Sequence, residues 1–190
     1  MNVLEQFEAD IACEISLEHE SSFLNLVYID LDKFVYHNDA LGHDIGDKTL
    51  AKILQTLQEL SSANHSDFRR IRGDKFLGFS MSKEQAEHIE LGKLAQKNIH
   101  GLAIPYVYKG YSDGSFEFSK FITCSVCVLS FSLESLSKAS HTFGKQRHTS
   151  TMLEDNLVVV NKLVRKIENM MCVCKSGQKG NFTKITLSEI

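Results

Sequence analysis

The stretch Phe68-Arg69-Arg70-Ile71-Arg72-Gly73-Asp74-Lys75-Phe76-Leu77-Gly78-Phe79 decides the fold. Two short segments that mix apolar and polar residues flank a Gly-containing turn, which is a hairpin signal. The turn carries an acid, Asp74. Upstream, Phe23-Leu24-Asn25-Leu26-Val27-Tyr28-Ile29 is too short for a helix and rich in β-favouring residues. It reads as a buried central strand ending at a second acid, Asp30. Carboxylates at strand ends and hairpin tips lie at a sheet edge, where they can converge on a cation. Two on adjacent strands are the minimum for a two-metal nucleotidyl-transfer site, in which one ion activates a hydroxyl and the other neutralises a triphosphate. Acids at turns are common, so spacing alone leaves a purely structural role open.

Working outward, Val3, Leu4, Phe7, Ile11 and Ile15 recur at helical spacing, and a second helix is expected from about Asp47 to Leu60 through Leu50, Ile53, Leu54 and Leu57. A helix-like stretch around Phe34 and a polar turn at Gly42 and Gly46 separate the central strand from that helix. Helix is expected again over Glu84–Lys97, then a second hairpin at 106–118 and a long strand from Phe121 to Phe131. The polar run Ser132–Thr151 is expected to be an inserted loop. Leu157–Met171 returns to helix, and Gly177–Gly180 turns into a last strand over Phe182–Leu187. Helices and strands alternate throughout, so a single α+β sheet domain over 1–190 is indicated.

The composition agrees. The chain has 190 residues, 43% hydrophobic and 24% charged, with one Pro and a net charge of −3. That is enough chain for a core without staples and is neither disordered nor collagen-like. No apolar run approaches the ~20 residues of a membrane span. The acidic balance offers no general attraction to nucleic acid or anionic membrane. Five cysteines fit reduced thiols, so a cytoplasmic protein is expected. The pairs Cys124/Cys127 and Cys172/Cys174 invite a zinc reading. Residues three apart on a strand face opposite sides, however, which favours core thiols.

Ile29-Asp30-Leu31-Asp32-Lys33-Phe34, then Asn38-Asp39, then Gly42-His43-Asp44-Ile45-Gly46-Asp47, then the Arg70–Phe76 hairpin closely resemble the GGDEF family of nucleotidyl cyclases, whose pattern is D-x-D-x-F-K, N-D, G-H-x-x-G-D and R-x-G-G-D-E-F. Thr123-Cys124-Ser125-Val126-Cys127 resembles the family's T-x-S-x-G strand, and the 174–181 stretch its closing A-K-x-x-G-R-N turn. The resemblance implies a palm-like, mainly antiparallel central sheet wrapped by helices. It implies Mg²⁺ or Mn²⁺ held by Asp30, the Leu31 carbonyl and Asp74. It also implies a guanine edge read by Asn38 and Asp47, and terminal phosphates held by Lys175 and Lys179. An Asp accepts from the ring N–H and exocyclic amine, while an Asn both donates and accepts. Phe34 and Phe76 are expected in the core beneath the site.

Two positions depart from the pattern. The first hairpin glycine is Arg72, which is tolerable only if the turn needs no positive φ there. The family's Glu is Lys75, a change of two charge units beside the metal carboxylates. At 5 Å and an effective dielectric of 20, each unit is worth roughly 3 kcal/mol before screening. Against this, Val35 replaces a family lysine, and Lys75 has the reach to restore that cation at the phosphates. Lys75 therefore joins Asp30 and Asp74 among the candidate catalytic residues. The family's inhibitory R-x-x-D is replaced by Ala63-Asn64-His65-Ser66.

The resemblance implies an enzyme that condenses two nucleoside triphosphates, most simply GTP, into a cyclic dinucleotide such as cyclic di-GMP, releasing pyrophosphate. Each domain would hold one nucleotide, so a homodimer across a two-fold axis is expected. A second reading is a catalytically degenerate domain that binds the nucleotide and signals to a regulatory protein partner. A third is a cyclase with altered base or linkage.

Overall fold

The structure, a computed structural model, describes residues 2–17, 22–84, 87–105, 108–109, 116–117, 121–144, 151–175 and 182–184. The central sheet has five strands in the order β2-β3-β1-β6-β7. These are β1 (Phe23–Leu31), β2 (Ser66–Arg72), β3 (Lys75–Ser82), β6 (Cys124–Ser132) and β7 (Phe182–Lys184). All neighbours are antiparallel except β6 and β7. The second hairpin, β4 (Tyr108–Lys109) and β5 (Phe116–Glu117), forms a separate two-stranded sheet. This is the α+β class that the alternation of helices and strands indicated, with the mainly antiparallel, palm-like sheet that the family resemblance implied.

Strand alternation sorts the side chains of β1 onto two faces. Leu24, Leu26 and Tyr28 pack with Leu77 and Phe79 of β3 and with Cys127, Leu129 and Phe131 of β6, under α1 (Val3–Leu17), α5 (Leu133–Gly144) and α6 (Met152–Lys175). Val27, Ile29 and Leu31 face the other way, onto α2 (Phe34–Leu41), α3 (His43–Asn64) and α4 (Glu87–Gly101). Phe34 and Phe76 lie in that second core, as expected. Both faces of the sheet are covered, which explains why β1 reads as a nearly continuous apolar run rather than an alternating one.

Several boundaries differ from the sequence reading. Gly42 alone breaks the chain, at φ 87°, and α3 starts at His43, so Gly46 lies inside the first helical turns rather than in a loop. The stretch expected as an inserted loop holds α5 over Leu133–Gly144. Its serines suggest a loop, but Leu133, Leu136 and Ala139 recur at helical spacing and pack into the first core. The last helix is longer than expected, reaching Lys175. The turns expected at Gly110–Gly114 and Gly177–Gly180 fall outside the described residues, as does residue 179.

Candidate functional site

At the tip of β1 the alternation that builds the first core continues into charged residues. Asp30 follows Tyr28 on the face covered by α6, and Asp32 follows Asp30. Across the sheet, Asp30 is paired with Lys75 of β3 and Ser125 of β6. Both acids are buried, at 7% and 5% exposure. The β2–β3 turn consists of Gly73 and Asp74, with Arg72 paired to Lys75. Gly73 carries the positive φ of the turn, 51°, whereas Arg72 is outside the left-handed region. The arginine in place of the family's first glycine is therefore sterically acceptable. The Leu31 amide donates to the Asp74 carbonyl at 3.2 Å, which fixes the turn against the end of β1.

Two ammonium groups meet these carboxylates. Lys75 Nζ lies 2.7 Å from Asp74 Oδ1 and 3.6 Å from Asp30 Oδ2. Lys175 Nζ, on the last residue of α6, lies 2.6 Å from Asp30 Oδ1 and 3.7 Å from Asp32 Oδ1, and donates to the Leu31 carbonyl at 3.2 Å. Burial works against the charge on Lys75. The hydrogen bond to Asp74 and the charges of Asp30 and Asp74 outweigh it and hold the ammonium above the usual lysine pKa. The formal balance of the cluster is three carboxylates against two ammoniums, net −1. With the family's Glu at position 75 it would be −3.

Sequence reasoning missed Asp32 as a member of this site. Its carboxylate accepts from Thr123 Oγ1 at 2.8 Å and Ser125 Oγ at 2.9 Å, while its amide donates to the Thr123 carbonyl. The signal was the D-x-D spacing itself, because residues two apart on a strand share a face. Thr123 and Ser125 carry the same spacing where the chain enters β6. Arg70 was also overlooked. Its Nε donates to the Gly73 carbonyl at 2.7 Å, and its guanidinium lies 3.8 Å from Asp47 Oδ1. One arginine thus braces the Asp74 turn and reaches the residue expected to read the base.

Asn38 packs against Gly46, the residue before Asp47. A Cβ on Gly46 would overlap the Asn38 carboxamide, so the glycine is what admits that side chain against α3. Asn38 Oδ1 is buried and has no hydrogen-bond partner in the structure, whereas the Asp47 side chain is 72% exposed. Lys175 joins the carboxylates rather than standing apart from them, and Lys179 falls outside the described residues.

The oxygens of Asp30, Asp74 and the Leu31 carbonyl are the hard donors that Mg²⁺ or Mn²⁺ prefers. Their placement does not suit a pair of such ions. Among the described residues no three carboxylate, thiol or imidazole side chains converge on one point. The positions between the carboxylates are filled by Lys75 and Lys175. Among the described residues the cysteines do not converge as a zinc set. Cys124 and Cys127 point into opposite cores, and burial pushes the Cys127 thiol up to about 12 and Cys124 higher still. Such thiols stay protonated.

The profile of the family described as "Diguanylate cyclase, GGDEF domain" matches residues 4–146. Diguanylate cyclase DgcP of Escherichia coli (strain K12) is 34% identical over 83 residues, 44% of this chain and 24% of DgcP. Biofilm architecture maintenance protein MbaA of Vibrio cholerae is 32% identical over 77 residues, 37% of this chain and 10% of MbaA. The matched part is thus a quarter or less of each relative. The GGDEF domain of PA1120 (YfiN or TpbB) from Pseudomonas aeruginosa superposes with a TM-score of 0.63 at 19% identity, over 99% of this chain and 98% of that one. The GGDEF domain of DgcB from Caulobacter crescentus, solved in complex with c-di-GMP, gives 0.61 at 16%, over 94% and 86%. At these identities the likeness to solved structures is one of fold.

Proposed function

Because the chain belongs to the GGDEF family of diguanylate cyclase domains, we propose that it acts in cyclic-dinucleotide signalling by binding a nucleoside triphosphate, most simply GTP, and holding it without condensing it. The observation that carries this reading is the Lys75 ammonium lying between Asp74 and Asp30. Condensation in this family's manner calls for divalent cations there, and a tethered ammonium supplies neutralisation without the Lewis acidity that turns a hydroxyl into a nucleophile.

Binding follows from the remaining residues. Asp47 accepts from the guanine N–H groups, and Asn38, packed against the neighbouring Gly46, adds a further contact to the base edge through its carboxamide. Arg70 holds Asp47 in register with the Asp74 turn. Lys75 and Lys175 offer cationic donors to the phosphates. A protein partner then reads the occupied state. The structure of SiaD in complex with its activator SiaC shows that another member of this fold works beside a protein.

A second reading, condensation of two triphosphates by a homodimer with Mg²⁺ or Mn²⁺ at Asp30, Leu31 and Asp74, is favoured by the retention of both carboxylates. It requires Lys75 to leave Asp74. The deciding experiment combines GTP titration with pyrophosphate release and product chromatography, using each of the four triphosphates singly and mixed. The binding reading expects micromolar GTP affinity lost in Asp47→Ala and no pyrophosphate with either metal. A cyclic dinucleotide that vanishes in Asp74→Asn would replace it with the second reading.

A further inference from the structure

The two lysines of the site are held in place by different parts of the fold. Lys75 opens β3, and the β1–β3 register sets it opposite Asp30. Lys175 closes α6, a 24-residue helix whose apolar face is buried in the first core. Their side chains are 29% and 24% exposed, so their ion pairs are better shielded from solvent than surface pairs. One ammonium bridges Asp74 and Asp30, and the other bridges Asp30, the Leu31 carbonyl and Asp32. These are the oxygens the family resemblance assigns to divalent cations, together with their strand neighbour Asp32.

An ammonium head carries three N–H donors and a permanent positive charge. Lys75 has two carboxylate partners here, which leaves a donor for a phosphate oxygen. Lys175 has two partners at hydrogen-bonding distance and the Asp32 carboxylate further off at 3.7 Å. A triphosphate arriving at this end of the sheet meets charges that are already neutralised to a net −1. It therefore has no need to bring a metal ion to screen three carboxylates. A magnesium-bound nucleotide, in contrast, would have to displace at least one lysine from a short ion pair.

We propose that the site takes its nucleoside triphosphate as the metal-free anion, with Lys75 and Lys175 standing where divalent cations would otherwise bind. This inference rests on the reading that the site binds a nucleotide at all. It distinguishes Lys75 from a residue that merely spoils a metal site, since it assigns the side chain a direct contact with phosphate.

The test is calorimetric titration of GTP into the whole chain, once with EDTA and once with excess Mg²⁺, for the wild type, Lys75→Glu and Lys75→Met. A companion titration of Mn²⁺ without nucleotide is followed by the paramagnetic resonance of the free ion. The wild type is expected to bind GTP within about threefold of the same Kd in both buffers and to take up no Mn²⁺ below millimolar concentration. Lys75→Glu is expected to lose at least tenfold in affinity in EDTA, to recover it with Mg²⁺, and to bind Mn²⁺. Lys75→Met, which adds no negative charge, is expected to weaken metal-free binding without creating Mn²⁺ uptake. A melting curve for each variant confirms folding. Wild-type binding that is tenfold weaker in EDTA than in Mg²⁺ overturns the inference and leaves nucleotide binding intact. Absence of GTP binding in both buffers overturns the binding reading itself.

Discussion

β1 buries polar groups near both of its ends, and the two clusters are built differently. Near the start, Asn25 is fully buried on the α3 and α4 face. Its amide donates to Ser82 Oγ at 2.8 Å and Ser80 Oγ at 3.4 Å, and its carbonyl accepts from Ser130 Oγ at 2.8 Å. The Ser82 hydroxyl in turn donates to the Glu84 backbone carbonyl. Every member is neutral and satisfied within the chain. At the other end, on the opposite face, Asp30 and Asp32 are nearly as buried but are met by charges from Lys75 and Lys175. The first cluster ties three strands in register and has nothing to offer a ligand. The second carries net charge and spare donors, which a folding requirement alone does not call for.

The largest expected effect lies at the neutral end. Asn25→Ala removes the partner of three buried hydroxyls and should cost about 3 kcal/mol of stability by urea unfolding. The nucleotide affinity of the folded fraction should stay unchanged. A loss below about 1 kcal/mol would mean that the serines find other partners and that the two ends differ less than their geometry says.

Asp32→Asn is the corresponding cut at the charged end. It keeps the shape but replaces a carboxylate acceptor for Thr123 and Ser125 with an amide that has only one accepting oxygen. A loss of about 1–2 kcal/mol of stability is expected, with tighter binding of GTP, because removing one carboxylate leaves Lys175 less neutralised for the phosphates. An effect on stability with none on binding would move Asp32 to the structural side of the comparison.

Gly46→Ala separates stability from binding. The added methyl displaces the end of the Asn38 side chain, which can rotate away, while Ala favours α3 by about 1 kcal/mol over Gly. Thermal stability should therefore change little, and GTP affinity should fall about tenfold, near 1.4 kcal/mol. Unaltered affinity would remove Asn38 from the base-reading pair.

The smallest effect is a pH dependence. Burial lowers the pKa of His37, which lies 3.3 Å from the Thr49 hydroxyl, and burial lowers that of His100 against the opposing charge of Asp32. Each imidazole is held below the value of 6.5 that it has when unfolded. The unfolded chain then binds more protons as pH falls below that value, so stability present above pH 6.5 is lost progressively in acid. His37→Gln should flatten part of that slope in denaturation midpoints measured from pH 7.5 to 5. An unchanged slope would assign the effect to other groups.

Much of this was legible beforehand. The apolar run of β1 and the aromatic hairpin gave the central strands, because strand formation there follows from local side-chain type and a glycine turn. Asn38, Asp47, Asp30 and Asp74 were legible by spacing to a family pattern. α5 was not, because the serines around Leu133 and Leu136 read as loop until the first core is present to cover them. The Arg72 question was likewise closed only by backbone torsion, since a turn's φ values depend on how its strands pair.

The sequence by itself determined the family, most of the elements in their order and the types of residue at the site, because these follow from short-range pattern. Only the tertiary structure decided where the ammonium groups of Lys75 and Lys175 go. Long, flexible side chains have no local preference that fixes their heads. Their position is set by the carboxylates that strand pairing and the packing of α6 bring within reach.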